Sequence, residues 1–515
     1  MVFYKKHKNS ILLQELETVL DVSGAQNYIP IYSRFFTLNP TNWNSINLEN
    51  DFELANIHHC DYNKATATLI NSTTLPIFLK YSPLLDPLKY LNGKYTNYDF
   101  TLPALTGNFP KLMDVHNSAY TDSFFSYLSS QLLHSHNFVN GIGFYGSYLG
   151  IKNNFKYSIE DEIEQLHNST FFYENNNKLF TLNKEINTPP SQKNREKLVL
   201  EDECISFEIE DVDCSNELNE VHADTSIEII DELTELDPTD TKSLHSDSSS
   251  TSSKSSNTSN GPEEMDQDSD YETDSDCSIF GLSASIHKFP VQIIALEQCT
   301  DTLDSLLIES IPTEEITAAL MQVIMTLIMY QNVFQFTHND LHTNNIMFVE
   351  TDKPYLYYTY KNIHYKVPTY GRIFKIIDFG RAIYTFEGKQ FVSDSFHTDG
   401  DAATQYNMEP FLDSSKPKLG PNYSFDLCRL ACSMLDIIAD DTPLYELIEE
   451  WCLDDKNRNV LYKKNGEERY PDFKLYKMIA RTVHAHIPEL QLNKPIFKKY
   501  VSQHTEEPIF IHNKV

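Results

Sequence analysis

His338-Asn339-Asp340-Leu341-His342-Thr343-Asn344-Asn345 places a carboxylate five residues before an amide, and Asp378-Phe379-Gly380 follows 33 residues after Asn345. Those residue types at that spacing suit phosphoryl transfer. The reaction needs a carboxylate to accept the attacking hydroxyl's proton and oxygen ligands to hold Mg²⁺ across the phosphates. Asp340 fits the first role, as catalytic base. Asn345 and Asp378 fit the second, because Mg²⁺ takes hard oxygen donors and completes its octahedron with phosphate and water. His342 stands where it can touch a transferred phosphate; its plainer role is to pack the loop.

Such a loop needs rigid elements on both sides. Ile316, Leu320, Val323, Ile324, Leu327 and Ile328 recur at helical spacing after Pro312 and the acidic pair Glu314-Glu315, which predicts a long helix from 316 to 334 leading into the loop. Gln322 and Thr326 interrupt its apolar run, leaving stretches far shorter than the roughly 20 residues of a membrane span. Ile346-Met347-Phe348-Val349 and Ile373 to Ile377 read as short buried strands, the second delivering Asp378 at its end. Upstream, Ala65 to Ile70 and Leu75 to Tyr81 flank the polar turn Asn71-Ser72-Thr73-Thr74 and predict a hairpin. Lys80 sits in its second strand. A strand lysine is ordinarily a solvated edge residue. Phe124, Phe125, Leu128 and Leu132 then mark a helix from Ser118 to His134.

These segments together resemble the eukaryotic-type protein kinase family. His338-Asn339-Asp340 stands where the family has His-Arg-Asp, Asn345 where it has the loop asparagine, and Asp378-Phe379-Gly380 is its metal-binding triplet. Ser424-Phe425-Asp426-Leu427-Cys428-Arg429-Leu430 resembles the family's Asp-Val-Trp-Ser-Leu helix, which implies that Asp426 anchors the catalytic loop. His136-Asn137-Phe138-Val139 resembles the His-Pro-Asn-Ile-Val link, and Lys80 the lysine that binds the α- and β-phosphates. Val291 to Leu307 align with the fifth strand, hinge and next helix, placing Ala295 at the gatekeeper and Leu296 to Cys299 in the hinge. There Leu296 and Gln298 would supply the backbone carbonyl and N–H that hold adenine. The resemblance implies ATP and Mg²⁺ as cofactors and a protein substrate. It also implies an α+β, bilobal protein-kinase-like fold: a small antiparallel β-sheet lobe and a larger, mostly helical lobe.

The chain departs from the family in five places. The run from Tyr120 to His136 contains no Glu, and Asp122 is the one acidic residue there that could replace the expected glutamate. Asn56 to Lys64, the expected phosphate-covering loop, has no glycine, although close approach of backbone to phosphate favours it. Asn339 replaces the arginine that grips a phosphorylated activation loop, which argues against activation by that route. His342 replaces a lysine, as in atypical protein kinases and in small-molecule phosphotransferases resembling choline or aminoglycoside kinases. Pro354 to Tyr370 is a Tyr-rich hairpin insertion without evident chemistry.

Composition bounds the rest. Between Glu201 and Phe280 there are 25 Asp and Glu against two Lys, a local charge of −23 out of −33 for 515 residues. Ser243 to Ser259 is serine-rich, and so little apolar surface cannot offset chain entropy, which predicts a disordered acidic insertion in the small lobe. The expected organisation is an N-terminal extension at 1–40, the first part of the small lobe at 41–154, and the insertion at 155–287. The last small-lobe strand and hinge follow at 288–299, and the large lobe at 300–515. The insertion reads as a solvating loop, a dock for a basic protein partner, or a phosphorylated regulatory segment.

Eight Cys are scattered without a CxxC, and the N-terminus has no apolar signal region, so an intracellular, reducing, cytoplasmic setting is expected. The Asn, Ile and Tyr richness and Lys80-Tyr81-Ser82-Pro83-Leu84-Leu85-Asp86-Pro87 also resemble kinase-like proteins of large nucleocytoplasmic DNA viruses. That likeness implies host cytoplasm or virion. The acidic balance disfavours direct nucleic-acid binding, and no membrane span is expected. The leading expectation is a Ser/Thr-directed protein kinase. The alternatives are a pseudokinase scaffold and a small-molecule phosphotransferase.

Overall fold

The computed structural model describes residues 4–6, 9–106, 109–160, 162–184 and 281–512, and within them the chain is mixed α+β. An antiparallel sheet holds β1 (Val22–Gln26), β2 (Leu54–Asp61), β3 (Lys64–Leu69) and β4 (Thr74–Pro83). After helix α1 (Ser118–His136), the sheet is completed by β5 (Phe144–Ser158), β6 (Phe180–Leu182) and β7 (Ser283–Glu297). The spatial order is β1-β5-β7-β4-β3-β2, with β6 paired to the start of β7. The predicted hairpin is β3 and β4. Ala65, Ala67 and Leu69 are buried against Ile77 and Leu79, and the alternating positions, Lys80 among them, lie on the opposite face. Ser72 takes a left-handed φ of 67° in the turn, where the Asn71 side chain accepts from the Thr73 N–H.

The sheet is wider than expected at both ends of the first 160 residues. The segment read as an N-terminal extension contributes β1, paired to β5, with the helix Ser10–Val19 before it. β5 and β7 pair from Phe144↔Leu296 out to Ser158↔Ser283, so ordered strand runs past the boundary placed at 155 and begins before 288. Lys152, Asn153, Asn154 and Lys156 dilute the apolar signal of the outer part of β5. The expected disorder of the acidic, serine-rich tract falls on residues 185–280, outside the described residues.

Helix α1 is buried on nearly every face despite its many serines. Two of their hydroxyls tie the helix to its neighbours: Ser129 bonds the Tyr330 hydroxyl and accepts from Ile142 N–H, and Ser130 accepts from Phe144 N–H. Asn117 caps the start, accepting from Ala119 N–H, and Asn137 ends the helix in a left-handed turn. The geometry locks α1 against the beginning of β5.

Helix α2 (Thr313–Phe334) starts just after Pro312 and is long and apolar enough to cross a membrane by length and composition, but 89% of its most apolar stretch is buried inside the protein. Gln322 accepts from Phe374 N–H and Asn140 Nδ2 and donates to the Arg372 carbonyl, so its polarity is satisfied by protein groups. An apolar helix satisfied this way is a core helix. Beyond it, β8 (Ile346–Glu350) and β9 (Arg372–Ile376) pair antiparallel with Ile346 opposite Ile376. That register brings the residue before β8, Asn345, and the residues after β9, Ile377 and Asp378, to one end. The Ile377 N–H donates to the Asn345 carbonyl at 3.0 Å. Tyr355–Tyr360 and Ile363–Pro368 form the expected inserted hairpin. Helices α3 (Phe425–Met434) and α4 (Lys474–Thr482) pack through Phe425, Cys428, Leu475, Ile479 and Ala480 into a core beneath the 338–345 loop.

Candidate functional site

The Lys80 ammonium lies 2.7 Å from the Asp122 carboxylate on α1 and 2.9 Å from Asp378 after β9. The second Asp122 oxygen accepts from the Phe379 N–H at 2.9 Å. One short side chain, that of Asp122, therefore joins the sheet, α1 and the 378–380 turn. The two carboxylates differ in environment: Asp122 is 4% exposed, whereas Asp378, in a left-handed backbone conformation, is 48% exposed. Burial opposes charge on Lys80, but Asp122 and Asp378 outweigh it and hold the ammonium above its ordinary range. Burial pushes Asp122 up. For Asp378, burial is overcome by Lys80, and the carboxyl falls to about 2. Asp378 is thus an exposed, ionised oxygen donor. Phe379 is buried against Phe125, Phe336 and His338, which anchors the turn.

Asp426 holds the 338–345 loop from α3. Its two oxygens accept from the backbone N–H groups of His338 and Asn339, each at 2.9 Å. His338 donates from Nε2 to the Ile377 carbonyl and accepts the Asp340 N–H on Nδ1, so the ring is the neutral tautomer protonated on Nε2. Asn339, with φ of 65°, donates to the carbonyls of Thr337 and Arg381 and accepts from the Tyr406 hydroxyl at 2.6 Å. A buried amide, rather than a charged guanidinium, ties the loop to the 396–408 segment.

The Asp340 carboxylate has two partners that the sequence did not announce. The Tyr476 hydroxyl on α4 donates to Oδ1 at 2.7 Å, and Arg381 lies 3.2 Å from Oδ2. Arg381 is itself fixed by Asp401 at 2.6 Å. Arg381 directly follows the Asp-Phe-Gly triplet and could have been singled out on that ground; nothing local marks Tyr476.

Asn345 donates from Nδ2 to the Asp340 carbonyl at 2.9 Å and to His342 Nε2 at 3.1 Å. The carbonyl can only accept, so the amide nitrogen must face it and Oδ1 is left to bind a ligand. Oδ1 of Asn345 and the Asp378 carboxylate are hard oxygen donors at one end of the β8–β9 pair, and they fit Mg²⁺. The contact also assigns His342 a structural duty, because only a neutral ring can accept there. Burial holds its pKa below the ordinary 6.5, Asp340 opposing and Arg429 adding to the effect. The stability from this neutral contact is fully present above pH 6.5 and is lost as pH falls through the depressed folded value. We expect His342→Gln, which stays neutral, to flatten the fall in melting temperature between pH 7 and pH 5 relative to wild type. Parallel curves would remove His342 from that transition.

The remaining site candidates lie at the end of β7. Leu296 is still paired in the sheet, opposite Phe78 and Phe144, whereas Gln298 lies one residue beyond the strand and has no backbone hydrogen bond among the described residues. Gln298 can therefore offer its N–H to a ligand. Glu297 between them accepts from Gly143 N–H and pairs with Lys375 at 2.9 Å. Lys375, 3% exposed, also donates to the carbonyls of Val139 and Gly141, so all three ammonium protons are used. Sequence reasoning read Lys375 only as part of a strand. The glycine-free segment at 56–64 folds as β2 and a two-residue turn, Tyr62-Asn63, with Tyr62 at a φ of 51°. It is a tight hairpin rather than an open loop.

No protein-family model matches this chain, and no curated protein is detectably similar to it.

Proposed function

We propose that the chain is an ATP- and Mg²⁺-dependent protein kinase with a Ser/Thr hydroxyl as acceptor, on a divergent bilobal kinase fold. The observation that carries the reading is the Lys80–Asp122–Asp378 cluster, set on three separate elements beside a loop that presents Asp340 and Asn345. A lysine held by two carboxylates is poised for phosphate oxygens. Bound Mg²⁺ would neutralise charge developing on the phosphates; Asn345 and Asp378 would hold it. Lys80 would bind the phosphates, the Gln298 N–H and Leu296 carbonyl would hold the base, and Asp340 would orient the acceptor hydroxyl and take its proton. The protein substrate, an intracellular setting and a basic partner for the acidic tract belong to the same proposal.

The test is transfer of labelled γ-phosphate from Mg-ATP to the protein itself and to generic acidic and basic proteins, with Asp340→Ala as control. Transfer by wild type alone supports the reading. Folded, ATP-binding protein that labels no protein would favour a small-molecule phosphotransferase or a pseudokinase, the latter prompted by the glycine-free Tyr62-Asn63 turn. Within the kinase reading, Asp122→Asn should raise the KM for Mg-ATP about tenfold, as expected for loss of one charged hydrogen bond to Lys80. An unchanged KM would make that contact purely structural.

A further inference from the structure

Resting on the kinase reading, we propose that Tyr476 is a positioning residue for Asp340: its phenol fixes the carboxylate's rotation so that the acceptor hydroxyl meets it in one orientation. A phenol 2.7 Å from the candidate base has the geometry of an acceptor already in place, which raises two other roles: a removable gate, or an internal phosphate acceptor. The surroundings of the ring favour neither. The guanidinium groups of Arg381 and Arg429 lie 5.6 and 5.0 Å from its centroid, and Phe473 stacks on it at 5.2 Å. Phe425 adds a tilted contact at 6.2 Å. Helix α4, which carries Tyr476, is pinned by buried Leu475, Ile479 and Ala480 in the core that also holds Phe425 and Tyr406. Swinging the ring away would break two cation–π contacts and its aromatic packing.

The arrangement around Asp340 is accordingly a fixed cradle. Tyr476 bonds Oδ1, Arg381 approaches Oδ2, and Asp401 anchors Arg381 through both Nε and Nη2. Each carboxylate oxygen keeps a further lone pair for an acceptor hydroxyl. Without the phenol the carboxylate can rotate, and productive alignment becomes rarer while nucleotide binding is untouched.

Tyr476→Phe keeps the ring, its aromatic packing and both guanidinium contacts and deletes one hydroxyl. The expected result is a kcat about ten- to a hundredfold lower, with the KM for Mg-ATP and the melting temperature unchanged. A higher kcat would mean a gate, an unchanged kcat would mean packing alone, and wild-type label recovered on Tyr476 would mean an acceptor; each overturns the proposal. A second reading does not depend on activity, so it separates this inference from the kinase assignment. In protein labelled with ¹³C at aspartate carboxyls, the Asp340 resonance, assigned by its loss in Asp340→Asn, should shift in Tyr476→Phe. An unmoved resonance overturns the positioning role even if the wild type transfers no phosphate.

Discussion

In the proposed kinase, Asp340→Ala is expected to lower the rate of phosphoryl transfer by about 10²- to 10⁴-fold, the range for loss of a positioned general base. Nucleotide binding should persist, because Lys80, Asn345 and Asp378 make no side-chain contact with the Asp340 carboxylate. Asp378→Ala should fail in a different way. It removes an exposed, ionised carboxylate and leaves Lys80 paired with Asp122 alone, so on the proposed function Mg²⁺-dependent ATP binding should weaken along with the rate. Single-turnover transfer at saturating Mg-ATP, combined with calorimetric titration of nucleotide with and without Mg²⁺, separates the two. An Asp340→Ala protein within about tenfold of wild type would exclude Asp340 as the base, since even the weakest general-base effects exceed that. Equal ATP affinity with and without Mg²⁺ in the wild type would remove Asn345 and Asp378 as metal ligands.

The second large effect is on stability and needs no assumption about function. Asp426 is fully buried, and its oxygens are the acceptors of two backbone N–H groups, those of His338 and Asn339. Burial pushes its carboxyl up, and these two N–H groups pull it back. Asp426→Ala leaves both peptide donors buried without that partner, at about 1–3 kcal/mol each. A total loss of roughly 3–5 kcal/mol follows, the size expected when a buried charged partner is removed. Asp426→Asn keeps the volume and one acceptor oxygen, so it should lose about half as much. Urea denaturation at pH 7 with fixed m-values measures both. A loss below about 1 kcal/mol for Asp426→Ala would show that the loop is held by its other contacts, such as the His338 bond to Ile377 and the Asn339 bond to Tyr406.

Lys375 illustrates how a residue changes meaning between sequence and fold. In the run Arg372-Ile373-Phe374-Lys375-Ile376 it reads only as a member of a short buried strand. In the structure it is buried, pairs with Glu297 and crosses to the carbonyls of Val139 and Gly141. An apolar run shows that a strand is buried. It does not show what a polar residue within that run will meet.

The chain by itself determined what depends on neighbours along it: the long helix before the loop, the β3–β4 hairpin carrying Lys80, the strands around the inserted hairpin, and the loop presenting Asp340 and Asn345. Apolar periodicity and turn residues act over a few positions, so they are written locally. Asp122 was legible only as the lone carboxylate of its helix; its pairing with Lys80 needed β4 and α1 to meet. β1 and the outer reach of β5 were obscured because short or polar-diluted strands acquire their pairing from partners far away. Tyr476 lies 136 residues from Asp340, and only the packing of α4 on α3 brings its hydroxyl to the carboxylate. Chemistry that requires particular residue types in one loop leaves a pattern in the sequence. The groups that orient that chemistry need only arrive at the right place, and tertiary packing alone decides which side chain does.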